Sequence, residues 1–268
     1  MSIKPSLQRR NLLTGSELDS EEHSGADRAT DSSPPTFGGL TGRQHGWILL
    51  TTLVVIDVLL LIANILHFGA NDPDEPVTRF SSPAWNGDAD GSFIELTGHL
   101  QLIAGVVMLV FLAVIRRTAV YVAWAVTLIV LIVDDFAQVH EVQGGLLALR
   151  FGLPSVAGLR PEDVGELTVW AIEGVFCLTL ILATLWWADL LARRHSRLLF
   201  LCVIVLAFFG GVVDQLHIVV EPYLSHTAGL AVTLTETTGE LGAMTLIVLA
   251  VHRMTRAQDR RVRLPSHD

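Results

Sequence analysis

The chain has 268 residues, of which 51% are hydrophobic and only 17% charged, and its mean hydropathy is +0.51. Such values, with uninterrupted apolar runs of about 20 residues, exclude an ordinary soluble domain. A formal net charge of −9, with no basic patch interleaved with aromatics, excludes nucleic acid as a partner. The cysteines, Cys177 and Cys202, both lie inside apolar runs and read as small core residues, with neither a CxxC pair nor an external disulfide.

Residues 1–42 differ in kind from the rest. They are polar, acidic and rich in Ser, Gly and Pro, which predicts a disordered cytoplasmic tail able to recruit a cytoplasmic partner. No short apolar segment with a cleavage site precedes them, so the first membrane helix is expected to act as the insertion signal.

Six apolar segments follow, near 46–67, 93–115, 119–141, 165–190, 198–221 and 228–252. Each is long enough to cross about 30 Å of hydrocarbon at about 1.5 Å per residue. The expected fold is therefore all-α: a polytopic bundle of six transmembrane helices over residues 43–256, followed by a short basic cytoplasmic tail, 257–268. With the amino terminus inside, 15 of the 18 Lys and Arg lie on the cytoplasmic side, and only Arg79, Arg150 and Arg160 lie outside. That bias predicts both termini cytoplasmic and a multi-pass protein of the plasma or inner membrane, with the lipid bilayer as its surroundings. The outer connections are long and acidic. The second, 142–164, is apolar enough to lie along the membrane surface, and Pro161 followed by Glu162 and Asp163 marks a helix start above the membrane.

Within this frame the ionisable residues of the spans fall in the outer half. The stretch VDDFAQVHE (133–141) carries Asp134, Asp135, His140 and Glu141; the fifth span carries Asp214, His217 and Glu221. The inward-running helices carry Glu95 and His99, Glu166 and Glu173, and Glu236 and Glu240 near their starts. Helical spacing puts Glu95 with His99, Glu236 with Glu240, Asp214 with His217 and Glu221, and Asp134 with Glu141 on shared faces, whereas Asp135 and His140 point away from the last stripe. Asp57 and Glu240 are expected to lie deeper, as the floor of the layer. Short matches such as ELTGHL (95–100) with ETTGEL (236–241) suggest repeated helix pairs around a central cavity.

A carboxylate buried in a bilayer costs several kcal/mol unless it is paired, protonated or metal-bound, so these residues are functional candidates. Some have simpler readings. Glu95 and Glu166 also suit a helix amino terminus, Glu141 and Glu221 suit solvated helix ends, and Asp57 suits a neighbouring hydroxyl. The layer holds no Lys or Arg, so either many carboxyls are protonated or metal ions supply the positive charge. Mixed His and carboxylate ligands suit Zn²⁺, Fe²⁺ or Mn²⁺, as one or two ions. The expected ligands are Glu95, His99, Asp134, Glu173, Asp214, His217, Glu236 and Glu240. A weaker signal, NGDADGSF (86–93), places Asp88, Asp90 and Gly91 in an incomplete calcium-loop pattern.

The leading expectation is a membrane metalloprotein, either a hydrolase or a di-iron-type oxidoreductase, with no catalytic residue singled out. The di-iron form needs two Glu-x-x-His motifs, and only Asp214-x-x-His217 approaches one. A divalent-metal or proton-coupled transporter is the rival, weakened by purely aliphatic inner halves. A non-catalytic sensor or complex subunit is the third possibility.

Overall fold

The structure, a computed structural model, describes residues 42–70 and 79–263. The segment read as an acidic tail lies outside these residues except for Gly42. The helices are α1 (Gly42–Ala70), α2 (Phe93–Arg116), α3 (Ala119–Phe136), α4 (Val139–Phe151), α5 (Pro161–Leu185), α6 (Leu190–Ala207), α7 (Asp214–Val220) and α8 (His226–Arg263). A π-helical segment, Phe208–Val213, joins α6 to α7 without a break. No strand occurs among the described residues; Val156 and Leu159 form an isolated bridge. The protein is all-helical, with six helices long and apolar enough to cross a membrane: Gln44–Gly69, Phe93–Arg116, Ala119–Phe136, Pro161–Leu185, Leu190–Val220 and Thr227–Arg256. Helices suit that role because they satisfy every backbone N–H and C=O internally, where no water can.

Three span ends are set by local polar groups; the third and fifth differ from the sequence expectation, while the fourth helix begins at the expected Pro161. The third span stops at Phe136, not near 141. Gln138 adopts a left-handed conformation (φ 49°), and the Asp134 carboxylate accepts the backbone N–H of His140 at 2.9 Å. The chain turns there, and α4 begins at Val139. The fourth span starts at Pro161. Asp163, fully buried, accepts the Arg160 backbone N–H at 2.7 Å and pairs with its guanidinium at 2.6 Å, closing a capping box. The fifth starts at Leu190, where Asp189 caps the Ala192 N–H at 2.7 Å and accepts from Arg116 at 2.6 Å.

Helices α2 and α3 are joined by two residues, Arg117 and Thr118, and pack as an antiparallel pair. Helix α8 packs against α1, α2 and α6, while α3 backs both α5 and α6. Leu109, Val120, Trp124, Leu128, Ile247 and Val251 are fully buried between these helices. Leu59, Val107, Val114 and Val175 are exposed and face outward, as lipid-facing residues do. Near the Arg-rich end, Trp124 donates to Ser196 Oγ at 2.8 Å, and the Tyr121 hydroxyl lies 2.8 Å from His195 Nδ1. These polar tips are satisfied inside the bundle.

At the acidic end the segment 79–92 lies against α1. His67 donates from Nδ1 to the Phe80 carbonyl at 2.6 Å, and Asn64 Oδ1 accepts the Gly87 N–H at 3.1 Å. A Cβ on Gly87 would lie 2.7 Å from Asn64 Nδ2 and 2.8 Å from Thr237 Oγ1, so these side chains would have to shift to admit one. This anchoring carries Asp88 and Asp90 over the ends of the helices. Helix α4 lies against the start of α5 through two glycines: a Cβ on Gly165 would lie 2.1 Å from the Gly144 carbonyl oxygen. Such contacts between small residues let backbones approach closely.

Candidate metal centre and its cavity

A cavity of about 500 Å³ runs down from the acidic end between α3, α5, α6 and α8. Its upper wall carries ten carboxylates: Asp88, Asp90, Glu95, Asp134, Asp135, Glu141, Glu173, Asp214, Glu236 and Glu240, together with His140. Among the described residues no Lys or Arg lines it.

Three carboxylate–imidazole pairs organise this wall. His99, on α2 and 4% exposed, donates from Nε2 to Asp135 of α3 at 2.8 Å, with Glu95 one turn back at 3.8 Å from Nδ1. His217, on α7, donates from Nδ1 to Glu236 of α8 at 3.1 Å. His140, at the start of α4, donates from Nδ1 to Asp134 of α3 at 3.0 Å. The same Asp134 oxygen accepts from Trp170 Nε1 at 2.9 Å, and the His140 ring lies tilted over Trp170 with centroids 4.7 Å apart. A carboxylate that accepts from one imidazole nitrogen fixes the ring and raises the basicity of the other.

Two groups have ligand atoms within 4.8 Å of one another: Glu95, His99 and Asp135; and Asp88, His217 and Glu236. Each combines one imidazole with two carboxylates. Such sets suit tetrahedral Zn²⁺ with a fourth position left for water, or Fe²⁺ and Mn²⁺.

The eight residues singled out from sequence fall as follows. Glu95 and His99 join in one group and His217 and Glu236 in the other. Asp134 belongs to the His140–Trp170 cluster. Glu173 and Glu240 line the cavity, and Asp214 lines it while accepting from Gln215 at 3.3 Å. Glu95 also has the local role foreseen for it, since its carboxylate accepts the Gly91 N–H at 2.5 Å while Ser92 caps the Glu95 N–H.

Asp57 does not line the cavity. It lies apart, between α1, α2 and α8, accepting from Gln101 Nε2 at 2.8 Å, with the Thr245 hydroxyl 2.8 Å from its other oxygen. Nor is Glu240 the floor. Below it the cavity continues past Leu102, Trp124, Ile181, Phe200 and Val203. The Glu221 side chain lies outside the described residues.

Sequence reasoning set Asp135 and His140 aside because it carried one helix through 133–141, yet both line the cavity. The break at Gln138 brings His140 back over Asp134, so the two adjacent aspartates serve two different histidines. Asp88 and Asp90, read as calcium-loop positions, accept from protein groups: Thr233 Oγ1 donates to Asp88 at 2.9 Å, and the Gln138 amide donates to Asp90.

Electrostatics outside the spans agrees with this crowding. Burial disfavours a charged His140, but the hydrogen bond to Asp134 and the charges of Asp134, Glu141 and Glu166 outweigh it, so the ring titrates above the ordinary histidine range. Burial pushes the Glu141 carboxyl up, and the nearby Asp90 adds to the shift.

No protein-family model, curated protein or solved structure matches this chain.

Proposed function

We propose that this protein is a membrane-embedded metal-dependent hydrolase whose ions are held at Glu95–His99–Asp135 and Asp88–His217–Glu236. The observation that carries the reading is the wall of ten carboxylates with, among the described residues, no lining Lys or Arg. So many acids in a low-dielectric site need bound cations or extensive protonation, and the two His-plus-two-carboxylate groups supply ligands of the right type. A bound divalent ion lowers the pKa of its water towards neutrality. His140, held by Asp134 through Nδ1, keeps Nε2 for accepting a proton, the arrangement of a general base with an orienting carboxylate.

The closed apolar end favours an enzyme over a transporter. Tyr121, Trp124, Leu199 and Val251 are packed there, and alternating access would require a polar route through them. The acidic end faces outward in this reading and both termini are cytoplasmic, because Arg116, Arg117, Arg193, Arg194 and Arg197 cluster at the opposite end.

Equilibrium dialysis of the purified protein against Zn²⁺ and Mn²⁺ tests the site. His217→Ala and His99→Ala should each weaken binding by about tenfold or more, whereas His195→Ala, at the other end, should leave it unchanged. Equal binding by all three variants would remove the assignment.

A further inference from the structure

We infer that the lower half of the cavity is a tail chamber: it takes the hydrocarbon chain of an amphiphilic substrate that enters sideways from the bilayer between α5 and α6, with its oxygen-bearing head at the metal layer. The location of the head rests on the metal reading above; the chamber does not.

The cavity changes character with depth. Its upper wall is carboxylate and imidazole, while below Glu240 it is lined by Trp124, Ile181, Leu178, Phe200 and Val203. On α3 the step from Asp134 to Trp124 is ten residues, about 15 Å of helix. A metal ion and its water need none of this lower space. The volume, about 500 Å³, falls within the roughly 300–1,000 Å³ of small-molecule sites.

The chamber is also open on one side. Helices α5 and α6 are consecutive and joined by a short turn, yet each packs on α3 and they do not pack along one another. Towards the Arg-rich end Ile181 of α5 and Leu199 of α6 both enter the buried core. Leu178 of α5 and Phe200 of α6 both line the cavity and remain 40% and 42% exposed. Gly174 lines it too, and a Cβ there would meet nothing within 4 Å. At this depth the surroundings of a membrane helix are lipid chains, so an apolar slot open through the wall of the bundle admits hydrocarbon and excludes water. A polar layer directly above it selects a chain that carries a head.

The experiment uses the full-length protein in lipid nanodiscs and a fatty acid carrying a diazirine in its tail. Photolabelled residues are mapped by mass spectrometry, with and without a chelator. Label should concentrate on the cavity faces of α5 and α6, around Leu178 and Phe200, and be competed by unlabelled fatty acid. Gly174→Phe, which fills the slot without a backbone clash, should lower this labelling about tenfold; Ile172→Phe, on the exposed face of the same helix, should not. Unchanged thermal unfolding of both variants shows that the fold persists. Label spread over outward residues such as Val107 and Val175, and indifferent to Gly174→Phe, overturns the inference. Loss of cavity labelling on chelation supports a metal-held head. Persistence of cavity labelling on chelation supports the tail chamber while contradicting the metal reading, so the two failures are told apart.

Discussion

Asp57 and Asp134 are both buried aspartates in membrane-length helices, yet their surroundings give them different work. Asp57 is bound by Gln101 and lies against the Thr245 hydroxyl, so it ties α1 to α2 and α8. Replacing it with Leu leaves the Gln101 amide N–H without its acceptor in an apolar interior, while the Thr245 hydroxyl keeps its bond to Gln101 Oε1 at 3.0 Å; this should cost about 1–3 kcal/mol. The thermal midpoint of Asp57→Leu in detergent should fall while metal binding persists; an unchanged midpoint would mean that the network contributes nothing. Asp134 accepts three donors, the His140 N–H and ring and the Trp170 indole, and sits on the cavity wall. Asp134→Asn keeps the shape but presents an amide to the ring. It should retain the fold and metal while slowing hydrolysis of a long-chain p-nitrophenyl ester by a factor on the order of 10²–10⁴, the usual contribution of a positioned base. Equal rates would remove His140 and Asp134 from the chemistry.

Two elements have geometry that a sequence pattern does not reveal. The π segment Phe208–Val213 adds a residue to the turn ahead of Asp214 and sets the rotation of α7. Phe209 is seated against Gly239, where a Cβ would lie 2.1 Å from the ring, and Gly210 faces Glu240. Deleting Val212 should restore α-helical winding and turn α7 by about 100°. His217 would then leave Glu236. The expected outcome is loss of metal at the Asp88–His217–Glu236 group with retained helicity by circular dichroism; retained metal would show that the bulge is not what aims His217. The α4–α5 contact depends equally on small residues. Gly165→Leu forces its side chain onto the Gly144 carbonyl and should cost about 1–3 kcal/mol, with α4 becoming the first site cut by protease. A digestion pattern identical to that of the parent would contradict the packing.

At the scale of the molecule, the six spans were legible because membrane length and apolarity are properties of a run of residues, and they survive small errors at the ends. The polar layer was legible for a related reason: an acid in such a run is costly, and costly residues stand out. What could not be read was the partnering. Asp135 and His140 seemed misdirected only while 133–141 was taken as one helix, and the turn at Gln138 goes with a hydrogen bond that Asp134 accepts from the His140 N–H, which periodicity does not encode. Asp57 matched its neighbours in type but not in place, since its partners come from α2 and α8, over 40 residues and nearly 190 residues along the chain. The apolar lower chamber was invisible because Leu, Phe and Val look alike whether they line a cavity or fill a core. The packed apolar residues at the Arg-rich end also separate enzyme from transporter. Reconstituted protein should not carry Zn²⁺ or Mn²⁺ across a liposome bilayer, and uptake abolished by Asp214→Asn would make transport the primary function.

The central claim, that this acidic cavity is a metal centre, is tested most directly by elemental analysis of the full-length protein purified without chelators or affinity metal. The account predicts about one to two equivalents of Zn, Fe or Mn per chain, reduced in His99→Ala and in His217→Ala and nearly absent in the double variant. A folded, monodisperse parent protein free of transition metal, which also takes none up from Zn²⁺, Fe²⁺ or Mn²⁺ on dialysis, would contradict it. The carboxylates would then have to be held by protonation and by one another.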